Sequence, residues 1–99
     1  MSLDESTIEL CEAFLRTLKR KGYTRATLRG WRFSLHRFFL FAHARGVANL
    51  RYVPPEVLSA FRADIRHSGC TSDSITRHPR RVLAFYGWLT APRRRSRRR

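Results

Sequence analysis

The sequence predicts an all-α fold: a compact four-helix bundle built from two helical hairpins. Three observations carry this expectation. Apolar residues recur at helical spacing in four separate segments, Gly22, Gly46 and Gly69 mark the boundaries between them, and the second segment is echoed by the fourth at a constant offset of 47 residues. The chain has 99 residues, which suits one domain able to bury roughly 60 to 70% of its unfolded surface without disulfides.

In the first segment Ile8, Cys11, Phe14, Leu15 and Leu18 share one face, so a helix is expected from about Glu5 to Arg20, ending at Gly22. Lys19, Arg20 and Lys21 suit the negative end of its dipole or a phosphate contact; composition leaves both readings open. Thr24 follows as an N-cap and opens the second helix, which runs through Ala44 and stops near Gly46. Its 21 residues make a rod of about 31 Å. Leu28, Trp31, Leu35, Phe38, Phe39 and Ala42 fall in one apolar arc, and Arg25, Arg29, Arg32 and His36 form a narrow stripe beside it. One face wants a core and its neighbour wants an anion.

A short connection from Val47 to Val53 leads to Pro54 and Pro55, the second suited to the first helical position. The third helix is expected from about Pro55 to His67, burying Leu58, Phe61 and Ile65 and ending at Gly69. Thr71 opens the fourth, expected to reach about Leu89, with Ile75, Val82, Tyr86 and Leu89 on one side and Arg77, Arg80 and Arg81 on the other. Pro79 lies inside this segment. It removes the hydrogen bond to the Ile75 carbonyl at a cost of about 3 kcal/mol, which predicts a kink, or a break or start at His78. The echo pairs Gly22, Thr24, Thr27, Leu28, Leu35, Phe38, Phe39 and Phe41 with Gly69, Thr71, Ser74, Ile75, Val82, Phe85, Tyr86 and Trp88.

Charge sets the class of partner. Lysine and arginine number 21 against 7 acidic residues, giving +14, and this imbalance points to nucleic acid or another anionic surface. Six of the arginines lie in residues 93–99; without them the body still carries +8. Asp4, Glu5, Glu9 and Glu12 make the start of the chain acidic, so the molecule is electrostatically polar. No apolar run approaches the roughly 18 residues of a membrane span, and no signal segment is visible, which reads as a cytoplasmic or nucleoid-associated protein. Cys11 and Cys70 stand apart with no CxxC and read as reduced thiols in or near the core, a disulfide being the alternative. The four histidines lack metal-ligand spacing, and no metal or other cofactor is expected.

A helix N-terminus offers unpaired N–H groups and a partial positive charge, and a hydroxyl with a following arginine adds donors there. Thr24, Arg25 and Thr27 make one such cluster; Thr71, Ser72, Ser74 and Arg77 make another. Threonines and serines also cap helices with nothing bound. For the arginine stripe the alternative is a solvated face, but such faces mix their signs and these two helices are nearly free of acids.

The runs FLRTLKRKGYTRATLRGWRFSLHRFFLFAHARGVANL, VPPEVLSAFRADIRHSG and TSDSITRHPRRVLAFYGWL resemble the N-terminal core-binding (SAM-like) domain of tyrosine recombinases, the phage-integrase and Xer-type enzymes. The resemblance covers about residues 8 to 89. It rests on an ordered set: G-x-[ST]-x-x-T from Gly22, Trp31 one turn on, P-E-x-L-x-x-F from Pro55 to Phe61, and F-Y-x-W-L from Phe85 to Leu89. It implies a domain (residues 1–90) that clamps one side of a duplex recombination half-site through its second and fourth helices. Thr24, Arg25, Thr27, Arg29, Arg32, Ser74, Arg77, Arg80 and Arg81 would then be the DNA-binding residues. The family's catalytic domain has no room after Leu89, so no strand cleavage is expected from this chain alone and it is not expected to be an enzyme. Tyr23, Tyr52 and Tyr86 read as core or loop residues. Pro79 stands where the family pattern has a core leucine, and Pro54 where it has a capping hydroxyl. The tail APRRRSRRR (91–99), expected to be disordered when free, reads as a phosphate-binding arm or as the remnant of a shortened reading frame.

The expected partner is therefore double-stranded DNA, with no small-molecule substrate. The alternative is a protein-interaction module: Phe33 and Leu40 lie off the core arc and would form an exposed patch for a recombinase subunit, leaving DNA binding nonspecific and confined to the tail.

Overall fold

The computed structural model describes residues 5–69 and 71–91. Among these residues the fold is four helices and no strand: α1 (Glu5–Arg20), α2 (Arg25–Ala44), α3 (Pro55–His67) and α4 (Ser72–Thr90). Residues 92–99 and Cys70 lie outside the described residues, and with them most of the expected tail and one of the two expected thiols.

Each boundary has a local cause. Beyond α1 the Tyr23 N–H reaches back to the Leu18 carbonyl and the Gly22 N–H to that of Lys19, closing a Schellman motif. Beyond α2 the same pair of bonds runs from Val47 to Ala42 and from Gly46 to His43. Both motifs need a left-handed residue, and Gly22 (φ 98°) and Gly46 (φ 90°) supply it. The next helix then starts on a hydroxyl: Thr24 Oγ1 accepts from the Thr27 N–H at 3.2 Å, and Thr71 Oγ1 from the Ser74 N–H at 3.2 Å. α3 has no side-chain cap and starts instead with Pro55 in its first turn.

α2 and α4 form the centre, with α1 packed on both and α3 packed on both. Contacts between α1 and α2 descend along one helix as they ascend the other, Glu12 meeting Arg32 and Phe14 meeting Trp31, so these two helices are antiparallel. α2 and α4 run in the same direction: Ser34 meets Arg81, Phe38 meets Tyr86 and Phe39 meets Phe85. The 47-residue echo is thus a packing register, because repeated hairpins lay their second helices side by side.

The core is aromatic. Phe14, Phe38, Phe39, Phe61 and Phe85 are all buried, and Phe38 meets Phe61 edge-on with ring centroids 5.0 Å apart. Burying such a side chain contributes about 1.5–3 kcal/mol, and an edge-to-face pair adds about 0.5–1.5 kcal/mol. Val57 and Phe85 join the core although the sequence reading did not place them there. Ile8 does not: it is 38% exposed, because α1 turns Thr7 inward with Cys11, Phe14, Leu15 and Leu18, the tighter helical repeat. Leu28, Trp31, Leu58, Ile75, Tyr86 and Leu89 are partly buried against the core. Phe33 and Leu40 are 59% and 40% exposed, off the core arc as expected.

Pro79 does not break α4, which stays helical from Ser72 to Thr90. Its ring is buried, and the surrounding turns hold the helix across one missing hydrogen bond. His78 is therefore interior to the helix, and Arg77, Arg80 and Arg81 keep helical phase with each other.

Candidate nucleic-acid interface

The nine residues expected to meet DNA fall into several distinct settings. Thr24 and Thr27 lie together at the start of α2, with Thr24 Oγ1 3.0 Å from Thr27 Oγ1. Thr71 and Ser74 repeat this arrangement at the start of α4, 3.3 Å apart. Because α2 and α4 run in parallel at a register of about 47 residues, both starts lie at one end of the bundle. The capping hydroxyls already satisfy one backbone donor each, which leaves other first-turn N–H groups as the available ones.

Arg25 and Arg29 are exposed on α2, and no ion pair involves them among the described residues. Arg32 is differently placed. It donates from Nε to Glu12 Oε2 at 2.8 Å and from its terminal nitrogen to Oε1 at 2.9 Å, a bidentate clasp between α2 and α1. The guanidinium holds the Glu12 carboxyl below its ordinary range. The basic stripe of α2 thus leans toward α1, where Arg16, Lys19, Arg25 and Arg32 line a groove of about 430 Å³.

The arginines of α4 diverge. Arg77 is paired with Asp73 one turn earlier at 3.3 Å, an exposed contact worth a few tenths of a kcal/mol and readily exchanged for a phosphate. Arg81 enters the seam between α2 and α4. It donates to Ser34 Oγ at 3.1 Å, and its guanidinium lies 5.4 Å from the centre of the Trp31 ring. Gly30 makes room: a Cβ there would stand 3.1 Å from an Arg81 nitrogen. Arg80 points the other way, sharing a groove of about 320 Å³ with Arg62 and Arg66 of α3.

Behind Arg81 sits a buried polar relay. Ser34 is fully buried and its Oγ is 2.6 Å from His78 Nδ1. Arg81 can only donate, so Ser34 Oγ accepts from it and keeps its own proton and a second lone pair for the contact with His78 Nδ1. Burial lowers the His78 pKa first, and the charges of Arg37, Arg81 and Arg77 lower it further. The relay fixes where one arginine of the basic face emerges.

Sequence reading missed Gly30, Ser34 and His78, and also Arg62 and Arg66. A glycine inside α2 at an ordinary helical φ was the one available signal of a close approach. A second constellation was also invisible along the chain: one ligand atom each from Cys11, Glu12 and His36 lie within 4.8 Å of one another between α1 and α2.

No helix among the described residues is long and apolar enough to cross a membrane. Comparison with family models, with curated proteins and with solved structures finds no match to this chain.

Proposed function

We propose that this chain is a duplex-DNA-binding module of the core-binding type found in tyrosine recombinases, holding one side of a half-site without cutting it. The observation that carries the reading is the charge of two parallel central helices. α2 has no acidic residue in its 20 positions, and α4 has one, already spent on Arg77. Arg25, Arg29, Arg77 and Arg80 are exposed on these helices, and the capped starts at Thr24 and Thr71 share one end.

The mechanism is a backbone clamp. Arginines and first-turn N–H groups take phosphates and set the register, while Arg29 or Arg77 reaches a base edge. Arg81 and Arg32 act mainly as positioning groups, the first through Ser34 and Trp31 and the second through Glu12. Strand cleavage is not part of the proposal. Tyr86 donates to the Leu50 carbonyl and burial raises its phenol pKa, the opposite of what a nucleophile needs.

The test is the salt dependence of duplex binding by fluorescence anisotropy, for the full chain and for a version ending at Ala91. Retained binding by the shortened chain, with a slope near 0.9 per phosphate contact, supports the helical faces. Loss of binding with the tail refutes them. A second reading is favoured by the exposure of Phe33 (59%) and Leu40 (40%), seven residues apart on α2: a face for a recombinase subunit. Reversing charge at Arg29 and Arg77 abolishes binding under the first reading and spares partner binding under the second.

A further inference from the structure

We propose that Cys11, Glu12 and His36 form a binding site for a zinc-class divalent cation between α1 and α2. The proposal does not rest on the DNA-binding reading: its three ligands are outside the nine residues expected to touch DNA, although Glu12 also clasps Arg32, which is one of them.

Three features of the cluster point to a ligand. Its donors are a sulfur, an imidazole nitrogen and a carboxylate oxygen, all within 4.8 Å of one another. Bonds of about 2.3 Å to sulfur and about 2.0–2.2 Å to nitrogen and oxygen place tetrahedral ligand atoms roughly 3.3–3.6 Å apart, so displacements of about 1 Å or less bring them into the first sphere. The second feature is an orphan: His36 Nε2 is sealed from solvent and has no hydrogen-bond partner among the described residues. A buried polar atom without a partner costs about 1–3 kcal/mol, and a metal bond would remove that cost. The third is rigidity, since Cys11 and Glu12 project from the middle of one helix and His36 from the middle of the helix packed against it.

Arg32 does not exclude the cation. It holds both Glu12 oxygens, and each oxygen keeps a further lone pair. A carboxylate oriented by an outer hydrogen-bond donor is the usual surrounding of a ligating carboxylate. The Cys11 thiol is fully buried. On binding, the S–H bond breaks, the sulfur–metal bond forms and the proton leaves to solvent; nothing is oxidised or reduced. Thiolate and carboxylate then face the divalent cation together with the Arg32 guanidinium that Glu12 already holds. Water completes the coordination on the Glu12 side, where that side chain is 37% exposed. The sulfur and nitrogen donors select zinc and cobalt over magnesium and calcium, which take oxygen.

The experiment titrates Co²⁺ into the full chain carrying Cys70→Ser, under a phosphine reductant. The expected result is a thiolate-to-cobalt charge-transfer absorption with one equivalent bound, bleached by Zn²⁺, and a Zn²⁺-dependent rise in Tm. His36→Gln, checked for helix content by circular dichroism, is expected to weaken cobalt binding at least about tenfold, and Cys11→Ser to remove the charge-transfer band. No charge-transfer absorption from the folded chain overturns the proposal. So does a band that survives Cys11→Ser, or an affinity unchanged in His36→Gln. If Cys11→Ser fails to fold, the His36→Gln titration decides alone.

Discussion

Ser34→Ala tests the relay that places Arg81. Ser34 is fully buried, its Oγ accepting from Arg81 at 3.1 Å and lying 2.6 Å from His78 Nδ1. Without the hydroxyl, His78 Nδ1 is a buried polar nitrogen that has lost its Ser34 partner, which costs about 1–3 kcal/mol. Arg81 is only partly buried and recovers water, so its loss is smaller. Alanine returns a few tenths of a kcal/mol in helix propensity. The net expectation is a loss of about 1.5–2.5 kcal/mol. At roughly 4–8 °C per kcal/mol for a domain of this size, Tm falls by roughly 6–20 °C. Urea unfolding followed by circular dichroism and tryptophan fluorescence gives the value directly. A double-mutant cycle with His78→Phe isolates the pair, with an expected coupling of about 1 kcal/mol or more. A loss below about 0.5 kcal/mol, or no coupling, refutes the relay.

Three further outcomes are expected. Gly30→Ala replaces a helical glycine, a gain of about 1 kcal/mol, but its Cβ meets the Arg81 guanidinium at 3.1 Å; stability by urea unfolding should hold or rise while anisotropy shows weaker DNA binding. Pro79→Ala restores an N–H that can donate to the Ile75 carbonyl and gives up some burial of the ring, so the urea midpoint should correspond to a gain of about 1–2 kcal/mol. His78 has a folded-state pKa below its ordinary 6.5, so below that pH the unfolded chain takes up a proton that the folded chain resists. Its stabilisation is complete above about pH 6.5 and is lost as pH falls, and comparing urea midpoints at pH 7.5 and 5.5 for wild type and His78→Phe should show a flatter dependence in the variant.

What the sequence determined by itself is what near neighbours along the chain determine. The four helices, their ends at Gly22 and Gly46 and their starts at Thr24 and Thr71 all follow from bonds spanning three to five residues. The inward faces built on Phe14, Phe38 and Phe61 follow from a 3.6-residue period. Tertiary structure decided what each polar side chain on those helices meets. Arg32 and Arg81 belong to the same basic stripes as Arg29 and Arg77, yet one is clasped by Glu12 of α1 and the other by Ser34 of α2. Pro79 reads as a helix breaker in isolation and is held in an intact helix by the packing around it. Cys11, Glu12 and His36 converge only because α1 and α2 are antiparallel at one register. Periodicity fixes the direction of a side chain relative to its own helix axis; the distance and rotation between axes fix its partner, and these are set by the interlocking of the whole core.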